Sequence, residues 1–292
     1  MCVALRVWLG IALWLATGAS GAVLAQSAAQ PDKSQYTFFN PVPDDQMRDF
    51  NTDRPPKANV PYTVDAGHFQ YETDLANLAF NQVSSTVHTD TFLVPNPTLK
   101  FGLTSNIDFE IIAPAGIGIH SFDAASGASS TIWGVNDVFL RTKVNLWGND
   151  GGPTAFAMIP YVKLPTAAPA GLGNGTVEWG VIAPLSISLP HGFTLLYNSE
   201  IDALKNSADD GRHANFINLV TLSHELVKDV TLYVEGWSDY NSDPLQPTTQ
   251  FSFDLAAAWL VRRNLQLDFG VDLGLNRATP KVQVFAGLSQ RF

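Results

Sequence analysis

The sequence predicts an all-β protein: a transmembrane antiparallel β-barrel of about twelve strands, preceded by an irregular N-terminal segment. Three observations predict it. In the final stretch, Lys281 to Phe292, the residues Val282, Val284, Ala286, Leu288 and Phe292 share one face. Lys281, Gln283, Gly287, Ser289 and Arg291 share the other, because a strand turns its side chains over at every second residue. From His68 onward the chain divides into about twelve such alternating segments, each long enough to cross an outer membrane as a tilted strand. The connections between them alternate long and short, as the two rims of an outer-membrane barrel do. Read alone, the last segment also suits the edge strand of a soluble sandwich, but a sandwich gives no reason for loop lengths to alternate.

Composition agrees with alternation. The chain is 46% hydrophobic and only 15% charged, yet its mean hydropathy is just +0.04, since Asn, Ser, Thr and Gly dilute the apolar residues. The one apolar run long enough for a membrane helix is Val7 to Leu24, behind Arg6 and before Ala25. It reads as a secretory signal over residues 1–25, with an uncleaved anchor helix as the alternative. Cys2, the only cysteine, precedes that run, so no disulfide is expected. A formal net charge of −10 argues against nucleic acid as a partner, because phosphate binding needs a basic footprint.

Residues 26–66 hold no sustained period, and Pro31, Pro41, Pro43, Pro55, Pro56 and Pro61 exclude both helix interiors and central strands. They read as a periplasmic extension or a plug folded into the barrel mouth. The barrel then occupies residues 67–292. Its predicted strands are His68–Leu78, Thr89–Leu103, Ile107–Ile119, Gly134–Trp147, Thr154–Leu164, Val177–Leu189, Phe193–Asp202, Asn215–Leu226, Val230–Tyr240, Thr249–Leu260, Leu265–Asn276 and Val282–Phe292. The clearest alternation runs from Leu265 to Leu275 through Leu267, Phe269, Val271 and Leu273. The longer connections are Ala79–His88, His120–Trp133, Pro165–Thr176, Ala203–Ala214 and Asn241–Thr248, and the short turns include Thr104–Asn106 and Pro190–Gly192.

With apolar faces assigned to lipid, Phe69, Tyr71, Phe109, Phe139, Trp179, Trp259 and Phe269 point outward. The lumen then receives Glu72, Asp74, Glu110, Asp137, Glu200, Glu225, Glu235, Asp254, Asp268 and Asp272, with fewer cations, chiefly Arg141 and Lys143. Rings of carboxylates set channel selectivity, so these residues imply a lumen that favours cations or neutral solutes. The plainer reading is that they pair with Arg141, Lys143 and their neighbours to fill a small barrel.

One stretch carries a resemblance. Thr52-Asp53-Arg54-Pro55 is followed by Thr63-Val64, then Gly67, Gln70 and Glu72. This resembles the opening motif of the outer-membrane transporters named for the MetA pathway of phenol degradation, T-D-R-P and then T-V-x-x-G-x-x-Q-x-E. Lys163-Leu164-Pro165-Thr166 resembles that family's K-L-P-T, whereas Pro56 stands where an acidic residue often follows R-P. The resemblance implies passive uptake of small hydrophobic or aromatic solutes.

Other chemistries find little support. Outer-membrane hydrolases place Ser two residues after a basic His, and none of the six histidines has that neighbour. No metal-ligand spacing appears, and no cofactor or catalytic residue is expected. Gly171 to Gly175 lacks the Lys and helix of a phosphate loop and reads as a flexible connection. Expected partners are outer-membrane lipid and lipopolysaccharide, small-molecule solutes, and the barrel assembly machinery through Phe292. The alternatives are a non-conducting structural or adhesive barrel and an outer-membrane hydrolase.

Overall fold

A computed structural model describes residues 32–114, 116–167 and 172–292; the predicted signal segment lies outside them. Among the described residues the strands are β1 (Phe69–Gln82), β2 (Val87–Leu93), β3 (Thr98–Gly102), β4 (Ile107–Ile112), β5 (Gly116–Asp123), β6 (Ala128–Val135), β7 (Val138–Trp147) and β8 (Thr154–Leu164). They continue as β9 (Glu178–Ser188), β10 (Phe193–Lys205), β11 (Arg212–Val227), β12 (Val230–Asn241), β13 (Thr248–Arg262), β14 (Leu265–Gly274) and β15 (Val282–Arg291).

Hydrogen bonding runs β15-β14-β13-β12-β11-β10-β9-β8-β7-β4-β3-β1, and β1 pairs with β15, so twelve antiparallel strands close into a ring. Closure leaves no edge in hydrocarbon, where an unpaired N–H or C=O has no water to turn to. The final strand predicted from the sequence is the one that seals the barrel against β1, with Tyr71 opposite Gln290 and Phe80 opposite Val282.

Three predicted strands are each broken in two. The second parts at Val94–Pro97, because Pro95 and Pro97 cannot donate to a ladder, and becomes β3 and β2. The third parts near Pro114 into β4 and β5, and the fourth at Asn136–Asp137 into β6 and β7. The halves nearer the C-terminal rim, β3, β4 and β7, complete the ring. The other halves form a second ladder, β1-β2-β5-β6, in which β6 pairs with β5 alone among the described residues. Two connections read as long loops are correspondingly tighter. β1 extends to Gln82 paired with β2, and β5 to Asp123 paired with β6.

The two faces are chemically inverted relative to a soluble protein. Phe269 is 65% exposed and Trp259 52%, both on the outer surface, while Lys143, Glu110 and Asp108 are fully buried on the inner one. An inside-out pattern is what a lipid solvent selects.

Candidate functional site: a plugged, ion-paired lumen

Residues 48–66 thread through the lumen and touch the inner face of nearly every strand. The cause is backbone bookkeeping. A proline-punctuated segment has no ladder of its own, and its buried N–H and C=O groups must be satisfied elsewhere. Inward side chains supply the partners. Both carboxylate oxygens of Glu235 accept consecutive backbone N–H groups, from Lys57 at 3.0 Å and Ala58 at 3.1 Å. Asn198 brackets Asn59, accepting from its N–H at 2.8 Å and donating to its C=O at 3.0 Å. Asn149 accepts from Thr63 N and donates to Thr63 Oγ1, Asn145 donates to Pro61 O, and Asp108 accepts from Val64 N. Ala58 and Val60 pack on Leu196, Leu219, Ile217 and Trp237 in a small apolar contact.

Asp53 and Arg54 point to opposite walls. Asp53 accepts from Lys143 at 3.0 Å, from Lys100, and from Val60 N at 2.8 Å. Its own N–H donates to Glu72, which also accepts from Gln70 at 2.7 Å. Burial opposes the charge on Asp53, but the two lysines overcome it and hold its carboxyl well below the usual carboxylate range. Arg54 makes a bidentate pair with Asp268 at 2.7 and 3.1 Å and a third bond to Asp74 at 2.7 Å. Its guanidinium lies over the Phe285 ring and fills the place a side chain would take at Gly287. Thr52 Oγ donates to Arg54 O and accepts from Gln266, and Pro55 is buried beside them. Lys57 Nζ pairs with Asp254 at 2.6 Å and Asp272 at 2.8 Å.

The segment is pinned at the rim beside the C-terminus as well. Lys33, Arg48 and Arg291 converge on Asp65, and Lys33 and Arg48 also reach Asp150. Asp150 is partly buried, yet Arg48 and Lys33 keep its carboxyl below its ordinary range. Gly67, where the segment enters β1, has φ +79°, and a Cβ there would lie 2.7 Å from Pro41. Only glycine fits that turn.

The remaining expected lumen residues continue around the inner wall. Arg141 reaches Asn59 at 3.2 Å. Tyr161 OH donates to Asp202 at 2.6 Å, two residues beyond the half-buried Glu200. Asp137 pairs with Lys163 at 3.2 Å. Glu110 sits between Lys143 at 3.3 Å and Lys100 at 4.0 Å.

Two assignments are corrected. Phe139 faces the lumen, not lipid: it shares its strand face with Arg141, and its ring centroid lies 5.9 Å from that of Tyr161 in a tilted contact. Glu225 is exposed at a turn, where it accepts from Asp229 N, and does not line the lumen. Sequence reasoning also missed Lys57, Asn59, Asn198 and Gly287, and it missed inward aromatic residues. Phe285 and Trp237 lie under Arg54 and Lys57. Gly287 carried a readable signal, a glycine among polar residues on the inner face of the closing strand.

A closed twelve-stranded antiparallel barrel with an apolar outer surface and a polar, polypeptide-filled lumen is a barrel of the outer-membrane type. The chain belongs to the family described as the MetA-pathway of phenol degradation, whose pattern matches residues 52–292. Its fold is similar to the COG4313 outer membrane channel from Pseudomonas putida F1, at 15% identity and TM-score 0.55, covering 77% of this chain and 93% of that one. The NanC porin gives 9% identity and TM-score 0.47, over 76% and 98% of the two chains. The translocator domain of the autotransporter NalP from Neisseria meningitidis gives 12% identity and TM-score 0.45, over 77% and 88%. No curated protein matches the sequence.

Proposed function

We propose that this protein is an outer-membrane channel that passes small solutes passively when residues 48–66 leave the lumen. The observation that carries this reading is how the segment is held: by side chains of the wall, through ion pairs and hydrogen bonds, with no strand of its own in the sheet. Such contacts exchange for water at modest net cost, so the segment can seal the lumen and still come out of it. A released segment uncovers Asp74, Asp254, Asp268 and Asp272 together, which favours cations over anions. The segment that bears the family motif is thus a gate.

For the solute we infer small hydrophobic or aromatic compounds. The family's description supports this, as do Phe139, Tyr161, Trp237 and Phe285 on the inner wall. The ladder β1-β2-β5-β6 ends at β6 among the described residues, and that open side offers an apolar solute a sideways route into lipid. Phe292, stacked on Phe69, is the residue we assign to recognition by the assembly machinery, and lipid and lipopolysaccharide surround the outer face. The density of ion pairs also favours a second reading, a non-conducting structural barrel.

Planar-bilayer recording separates the two. Refolded full-length protein, an Arg54→Ala/Lys57→Ala variant and a form lacking residues 26–66 are compared, each shown folded by heat-modifiable migration. Larger and longer cation-favouring steps in the altered forms, reduced by added phenol, support the channel. Silence from all three sinks it and leaves the structural role.

A further inference from the structure

The crook between the β1–β2 hairpin and the β14–β15 connection has a construction of its own. β1 runs past its last partner on β15, since Phe80 pairs with Val282 and Asn81 and Gln82 project beyond. The facing connection folds the other way, onto β13. Leu275 N donates to Phe251 O, Thr279 Oγ accepts from Phe251 N, and Asn276 donates to Thr249 O. One side projects and the other leans away, which leaves a cavity of about 860 Å³ at the rim opposite the C-terminus. That volume suits a small ligand.

Its lining is unlike the rest of this acidic chain. Arg277 and Lys281 are its charged residues, with no carboxylate among those that line it, and Asn81, Gln82, Ser85 and Asn276 add amides and a hydroxyl. Lys281 reaches across the notch to Gln82. Arg277 is exposed and makes no hydrogen bond or ion pair among the described residues. Asn81 Oδ1 is buried and has no donor. A free guanidinium is a fork for carboxylate or phosphate, and an unmet amide oxygen surrounded by other amides suits hydroxyl groups.

We propose that this cavity binds an anionic saccharide, a sugar bearing a phosphate or a carboxylate. Arg277 and Lys281 take the anionic group and Asn81 accepts from a hydroxyl. The same chemistry has two sources: a free solute approaching the channel, or the phosphorylated sugars of lipopolysaccharide beside the barrel.

Full-length protein refolded in lipopolysaccharide-free zwitterionic detergent is titrated calorimetrically with glucose 6-phosphate, glucuronate and glucose. It is titrated separately with deep-rough lipopolysaccharide, before and after phosphatase treatment. Saturable binding of an anionic probe is expected, with none for glucose. Arg277→Ala should weaken it about 10- to 100-fold, the worth of a charge-assisted contact. Asn81→Asp, which keeps shape and adds a negative charge, should weaken it too. Binding of the free sugars assigns the site to solute; binding of lipopolysaccharide alone, lost on phosphatase treatment, assigns it to lipid. Glucose binding as well as glucose 6-phosphate, no saturable binding of any probe, or binding that Arg277→Ala leaves unchanged overturns the proposal. Arg277 lies in an exposed connection, and heat-modifiable migration of each variant verifies folding. Binding is read without current, so its outcome and that of the conductance experiment are independent.

Discussion

The two long walls of the lumen solve the same electrostatic problem differently. On β3, β4 and β7 the barrel brings its own cations. Lys100 pairs with Glu72 and Lys143 with Glu110, and the segment adds one more anion, Asp53, to that cluster. On β12 to β15 and β1, Asp74, Asp254, Asp268 and Asp272 make their ion pairs, among the described residues, to Arg54 and Lys57 of the threaded segment. The first wall is neutralised by itself. The second is neutralised only while the segment is in place. On the channel reading proposed above, stability and gating are therefore written on opposite sides of one barrel.

The largest expected effect tests the self-sufficient wall. Lys143→Met leaves Glu110 and Asp53 buried with Lys100 as the one cation they share, and breaking a buried pair on one side costs about 3–5 kcal/mol. The loss should appear as a lower urea midpoint of the heat-modifiable band, and also in protein lacking residues 26–66, because Glu110 belongs to the wall. A variant destabilised only when the segment is present would erase the distinction between the walls.

Arg54→Ala is next, and its effect should fall on the gate. It leaves Asp74 and Asp268 facing an emptied site, worth roughly 3 kcal/mol of seating, or on the order of a hundredfold in the closed-to-open ratio. Channel open time should rise while the barrel's urea midpoint moves little. Arg54→Lys keeps the charge but loses the bidentate geometry, so it should fall between the two. An equal loss of barrel stability in Arg54→Ala would make the segment a structural core.

How much of this was legible beforehand follows from periodicity. β14 alternates without interruption and β15 does so except at Phe285 and Gln290, and their order and sealing role could be read directly. The broken strands could not, because Pro95, Pro97 and Pro114 end a ladder without ending the alternation on either side of them. Inward carboxylates such as Glu72, Asp254 and Asp268 were readable by parity alone. Phe139 was misread because its apolarity was allowed to outweigh its parity with Arg141. The contacts of Lys57 and Asn59 had no signal, since an irregular segment has no period, and only the folded wall decides which carboxylate each residue meets.

A smaller effect sharpens the comparison at Gly287. A methyl group there enters the space of the Arg54 guanidinium, and overpacking of this kind costs about 1–3 kcal/mol. Gly287→Ala should therefore loosen the segment in the wild-type background. Combined with Arg54→Ala it should add almost nothing, because contacting residues couple. Additive effects on open time would mean that Gly287 serves the strand and not the arginine.

The smallest effect is a difference that stays flat with pH. The carboxyl of Asp53 is held below the usual carboxylate range, chiefly against burial, by Lys100 and Lys143. A group whose folded-state pKa is depressed contributes stability that is present above its unfolded value, about 3.9, and is lost only as pH falls through the folded one. Asp53 therefore stays ionised as pH falls from 7 to about 5, a span above both values. The difference in open time between wild type and Asp53→Asn should be constant over that range, whatever acid does to each form separately through the opposite wall. A difference that shrinks toward pH 5 would mean that the lysine wall does not hold Asp53 as an anion, and the contrast between the two walls would lose its basis.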